Sequence, residues 1–245
     1  MKIIGENISD GKVFLQAARN FSVINSFPER MQNSTIEMSG GCGDASTVLD
    51  VRLNDAMAPI LCFIDSDKFC PKHQGSTAIK KCKDLLDRKP GVAVFYFTKA
   101  RELENILPFG YLKATIESMG VSPDRDKLLD NLIDLQNIRN NSPEIYSFID
   151  LKLGTCFAWV AKQSADTVTH FNAANVISQC DCTRECEGRI SPPFMEKFLD
   201  KVVFCMENSS PGKIRNFIST TEDRDWLDFG QTVFSMSIAN NQRLT

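Results

Sequence analysis

The sequence predicts an α/β fold: a parallel sheet with helices on both faces, followed by a mainly helical C-terminal region. Three observations predict it. The run of five apolar residues within 59–65 (PILCFID), ending at Asp65, and the run at 92–97 (VAVFYF) have the length and composition of strands covered on both faces. They alternate with segments of helical period, the order that builds a parallel sheet. Acidic residues stand at the ends of the strands, where ligands of such sheets bind. In chain order, residues 2–6 (KIIGE) form a strand ending on Glu6. Ser9 or Asp10 caps a helix that carries Val13, Phe14, Ala17, Ala18 and Phe21 on one side. Residues 22–27 supply a second strand. The glycine-rich SGGCGDAST at 39–47 makes a tight loop, from which Asp44 or Ser46 starts a helix running to Leu53. The strand at 59–65 follows, then a helix from Ser76 with Ala78, Ile79, Cys82, Leu85 and Leu86 on one face, stopped by Pro90, and then the strand at 92–97. This first domain spans 1–108. The second, 109–245, is expected to be mainly helical, most clearly over 124–139, where Leu128, Leu129, Leu132, Ile133, Leu135 and Ile138 lie mostly on one stripe.

The chain has 245 residues, 42% apolar and 24% charged, an ordinary globular balance. Its net charge of −3 does not by itself argue for a nucleic-acid partner, so bound divalent metal and local Lys/Arg patches would have to offset it. No run reaches the length of a membrane span, and the start lacks the apolar core of a signal peptide. The nine cysteines are an odd, scattered set, which points to reduced thiols and a cytoplasmic location. Only His73 and His170 are present, and neither lies in a nucleophile motif, so triad chemistry is poorly supplied. The glycine loop has no Lys before its Ser, which excludes a Walker A site. Carboxylates remain as the chemistry-bearing groups.

Glu6 and Asp10 flank a strand-to-helix turn, and Asp65-Ser66-Asp67 follows another strand. In extended backbone alternate side chains point the same way, so Asp65 and Asp67 would face one ion. Two like charges about 4 Å apart repel by roughly 4 kcal/mol at an effective dielectric near 20. A hard divalent cation removes that cost, and Mg²⁺ suits few carboxylates, several waters and a phosphate. One or two such ions would polarise a phosphoryl oxygen and acidify an attacking water. Lys68 and Lys99 are candidates to stabilise developing charge, and RELEN (101–105) supplies a further acid, Glu102 or Glu104.

Taken in order, GEN-x-x-D (Glu6, Asp10), SGGCG (39–43), FIDSD (63–67) and RELEN (101–105) resemble the toprim domain. The likeness is closest to OLD-like nucleases and phage-defence effectors, including the toprim subunit of PARIS-type systems. It covers about residues 1–108, with Asn7 where the family has glycine after the glutamate. The resemblance implies a toprim-like, Rossmann-like sheet and a Mg²⁺-dependent endonuclease. Glu6, Asp10, Asp65 and Asp67 would be metal ligands, and Glu6, Asp65, Asp67, Glu104 and Lys68 the catalytic set. It also implies a nucleic-acid substrate (tRNA or other RNA, or DNA), a separate ATPase subunit since this chain has no P-loop, and a role in anti-phage defence. A homo-oligomer is compatible with it. Tyr96, Tyr111 and Tyr146 have no context for strand passage. The rival expectation is a toprim-like interaction module without chemistry.

Cys180, Cys182 and Cys186 place three thiols in seven residues and are candidates for a structural zinc site. Phe194, Phe198, Phe204, Trp226, Phe229 and Phe234 are candidates either for base stacking or for core.

Overall fold

The computed structural model describes residues 1–28, 34–41, 44–55, 59–88, 93–175, 177, 188–194 and 198–239. The elements are β1 (Lys2–Gly5), α1 (Ile8–Ile24), β2 (Thr35–Met38), α2 (Ala45–Asn54), β3 (Ile60–Ile64), α3 (Thr77–Arg88) and β4 (Ala93–Phe97). After a 3-10 turn at Leu103–Ile106 come α4 (Phe109–Glu117), α5 (Pro123–Asn141), α6 (Pro143–Tyr146), β5 (Thr155–Cys156), α7 (Phe157–Val160) and α8 (Ala165–Phe171). The chain ends with β6 (Arg189–Ser191), α9 (Leu199–Glu207), α10 (Pro211–Phe217) and α11 (Arg224–Ala239). Two compact units result. One comprises Met1–Ser66, Ser76–Thr98 and the chain from Val203; the other comprises Asp67–Gly75 and Lys99–Val202. Neither unit ends at 108, because α10 and α11 pack on α1 and so return to the sheet unit.

In the first unit the four strands are all parallel, in the order β2-β1-β3-β4. β3 is buried at every position, as its unbroken apolar run requires. Alternation along the strands divides the core between the two faces. Ile4, Ile60, Cys62 and Ile64 pack with Ala45, Leu49 and Leu53 of α2 and with Ala78, Ile79 and Cys82 of α3. On the other face Phe63 meets Phe14 of α1 at 4.5 Å and Phe229 of α11 at 5.5 Å between ring centroids. Fully burying one such ring contributes roughly 1.5–3 kcal/mol. This is the parallel sheet with helices on both faces that the apolar runs predict.

Two local expectations are corrected. Residues 22–27 are not a strand: α1 runs on to Ile24, because Val13, Phe14, Ala17, Ala18 and Val23 stay buried at helical spacing. The second strand is Thr35–Met38 instead. The cap of α1 is neither Ser9 nor Asp10 but Asn7, whose side chain accepts from the Asp10 N–H at 2.9 Å. Asp10 Oδ2 accepts the Asn7 N–H in return at 3.1 Å, a reciprocal capping box. The helix α1 is also tied to the end of α9: the Arg19 guanidinium donates to the carbonyls of Met206 at 3.2 Å and Ser209 at 2.9 Å. Met206 lies in the last turn of α9 and Ser209 just beyond it.

The second unit is helical except for β5 and β6, a short antiparallel pair that the mainly helical expectation did not include. Its core holds Tyr111, Leu112, Ile116, Leu135, Ile149, Leu151 and Phe171. RELEN lies in this unit and is built into its interior. The Asn105 amide donates to Tyr146 O at 3.1 Å and Ile149 O at 3.2 Å, and its carbonyl oxygen accepts the Glu102 N–H at 3.0 Å. Of the aromatic candidates, Phe194, Phe198, Trp226, Phe229 and Phe234 are buried and cannot stack on a base; Phe204 is exposed. Among the described residues, no helix is long and apolar enough to cross a membrane.

Candidate functional site

The strand order fixes where a site belongs. The chain leaves β1 toward β2 on one side, then crosses over to β3 on the other side of β1. The carboxyl ends of β1 and β3 therefore flank the topological switch point, the usual crevice of an open parallel sheet. Glu6 follows β1 and Asp65 follows β3. Glu6 Oε1 accepts the backbone N–H of Asp65 at 3.3 Å. Both residues are half-buried, so water reaches them.

The ends of these strands are pinned by their neighbours. Ser66, fully buried, donates its N–H to Thr98 Oγ1 at 3.2 Å beyond β4, and its carbonyl accepts the Ser76 N–H at 3.1 Å ahead of α3. On the other side the Ser39 N–H donates to Gly5 O at 2.9 Å, which brings the start of the glycine loop beside the end of β1. Thr98 was not singled out in the sequence. A threonine directly after an apolar strand is the one signal that could have marked it.

The other predicted acids are placed differently. Asp10 is buried at the start of α1, with Oδ2 engaged by the Asn7 N–H, so one of its two carboxylate oxygens is used in capping. Asp67 belongs to the second unit and has a left-handed backbone, φ 52°. The expectation that Asp65 and Asp67 point the same way rested on extended backbone, which that conformation breaks. The Asp67 N–H donates to Arg101 O at 3.0 Å within its own unit. Lys68 follows in the same segment and is half-buried. Cys180, Cys182 and Cys186 lie outside the described residues. Among the described residues, no group of three or more His, Cys, Asp or Glu side chains is arranged to hold a metal ion.

Glu104 sits in a buried ion network of the second unit. Arg101 lies over the rings of Phe69 at 4.8 Å and Trp159 at 5.5 Å, and donates to Asp150 Oδ2 at 2.9 Å and to Glu102 Oε1 at 3.3 Å. Lys152 reaches Glu104 at 3.2 Å and Glu102 at 3.5 Å, the latter an ion contact without a hydrogen bond. Three acids thus meet two bases. Burial, offset in part by Lys152, pushes the Glu102 carboxyl up, with Glu104 and Asp150 adding to the rise. The folded protein therefore holds this proton above the ordinary carboxyl value of about 4.3, where the unfolded chain releases it. Stability from Glu102 is present below that value and is lost as pH rises through the raised one. Glu102→Gln keeps the shape and removes the titration. We expect the variant to gain stability relative to the parent on the alkaline side of this window, read as urea midpoints across pH. An unchanged pH slope would exclude this assignment.

Tyr96 is pushed up to about 12 by burial, with Asp225 and Asp228 adding to the effect, so it stays a neutral phenol at working pH. No family model matches this chain, and neither a curated protein nor a solved structure matches it.

Proposed function

We propose that the chain is a Mg²⁺-dependent phosphodiesterase of the toprim type, an endonuclease that cuts RNA or DNA at the rim between β1 and β3. The observation that carries the proposal is the 3.3 Å contact between Glu6 Oε1 and the Asp65 backbone. It brings the Glu6 carboxylate against the backbone of Asp65, two acids that follow separate strands, at the switch point. Two carboxylates are enough for Mg²⁺, which keeps several waters and takes a substrate phosphate. The half-burial of both acids suits an ion that stays partly hydrated.

When bound, the ion supplies Lewis-acid polarisation of the phosphoryl oxygen. The chain's own part is positional. Glu6 and Asp65 hold the negative charge that binds the cation, and the Ser66–Thr98 bond keeps the end of β3 in register. Asp10 fixes the first turn of α1 and so acts as a positioning residue. The site rests on Glu6 and Asp65 alone; Asp67, Lys68 and Glu104, which the resemblance adds to the catalytic set, belong to the second unit. We place the protein as an effector in anti-phage defence, controlled by a separate ATPase subunit.

A second reading has its own observation. Because no three-acid group occurs among the described residues, a toprim-like interaction module without chemistry also fits. Purified protein incubated with tRNA or plasmid separates the two. The nuclease reading expects cleavage that rises with Mg²⁺ and stops on chelation. Intact tRNA and plasmid across the whole Mg²⁺ titration would leave the interaction module.

A further inference from the structure

The second unit contains a cavity of about 140 Å³ between α5 and the segments after α8 and at β6. Its floor is apolar: Ile138, Ile145 and Ile190, the last two almost fully buried. Its rim carries the amides of Asn137, Asn141 and Asn175. Asn137 and Asn141 are four apart on α5 and so share a face. All three are exposed, and none of their side-chain amides hydrogen-bonds another described residue.

Size and chemistry together narrow the ligand. A cavity of about 150 Å³ accepts a single aromatic ring. An apolar floor with a few convergent polar groups at its mouth is the general form of a small-ligand site. Each amide offers both donors and an acceptor, the complement of an edge that mixes carbonyl, ring nitrogen and amino groups. A purely aliphatic ligand would leave the amides unused, and a phosphate would gain nothing from the isoleucines.

We propose that this cavity holds one unstacked base of a single-stranded nucleic acid, the base lying on the isoleucines with its edge on the asparagine amides. The inference rests on the nucleic-acid reading above and deepens it: the strand to be cut would be anchored by one base splayed out of its stack, the usual way single strands are read. Asp134 also lines the cavity. Burial, with Asp130 adding to it, pushes its carboxyl up.

The test is equilibrium binding without divalent metal, using a labelled single-stranded RNA of mixed sequence and a strand of equal length without bases. The intact strand should bind at least about tenfold tighter. The double variant Asn137→Ala/Asn141→Ala, and separately Ala174→Phe, which fills the cavity from its wall, should each lose about that factor while melting like the parent. Equal affinity for the two strands, no binding of either, or full affinity in both melting-competent variants would overturn the proposal. Cleavage with Mg²⁺ is scored in parallel on the parent protein. Base preference without cleavage counts against the nuclease reading alone; cleavage without base preference counts against the cavity alone.

Discussion

Glu6→Gln is expected to lower Mg²⁺-dependent cleavage by on the order of a hundredfold or more, the usual scale for loss of one electrostatic contributor to a phosphoryl-type transition state. The substitution is close to isosteric. Its amide oxygen still accepts the Asp65 N–H, so the contact at 3.3 Å survives and only the charge is lost. Asp65→Ala should do the same by removing the second donor. Both residues are half-buried, and neither substitution leaves a cavity, so each should change stability by no more than about 0.5 kcal/mol. Asp10 predicts the opposite split. Asp10→Ala breaks the capping box with Asn7 and should cost about 1 kcal/mol of stability, with a smaller loss of rate. Single-turnover rates against Mg²⁺ concentration, paired with melting curves, separate the two patterns. If Glu6→Gln and Asp65→Ala cut within about threefold of the parent rate, the rim between β1 and β3 is not where the cation acts.

Most of the sheet unit was legible because its signals are local. The apolar run at β3 and the periodic faces of α1 and α3 depend on residues close in sequence, and they place Glu6 and Asp65 at strand ends. What was not legible depends on partners far along the chain. Residues 22–27 read as a strand, yet α10 and α11, about two hundred residues away, pack on α1, which runs helical to Ile24. Asn7 became the cap because its side chain and that of Asp10 answer each other, and that reciprocity is visible only in three dimensions. The same kind of limit hid the role of RELEN. As a sequence it reads as a charged, solvated turn or as a catalytic motif. In the fold Arg101 is held by Asp150, some fifty residues on, and Asn105 ties together two carbonyls of the same distant segment. Its acids are therefore buried first and available for chemistry second. The switch point itself was not readable, since strand order cannot be taken from alternation alone.

Gly230→Ala should destabilise the protein by about 3 kcal/mol, a fall in Tm of roughly 6–12 °C, and Gly230→Val by more. Ordinarily the sign would be the reverse: replacing glycine by alanine inside a helix gains about 1 kcal/mol through propensity. Gly230 lies within α11, where a Cβ would stand 2.3 Å from the carbonyl oxygen of Ala17 in α1 and 2.9 Å from its carbon. Both are backbone atoms, which no rotamer change can move aside. The two helices must therefore separate, and the rings on either side separate with them: Phe14 from Phe229, at 5.2 Å, and Phe21 from Phe234, at 5.7 Å. Gly212 in α10 is the control, because nothing stands within 4 Å of its Cβ position, so Gly212→Ala should be neutral or stabilising. The contrast isolates close backbone approach from helix propensity. A rise in Tm for Gly230→Ala would mean that α11 does not rest on α1 in this way, and that the C-terminal helix does not complete the face of the sheet opposite α2 and α3.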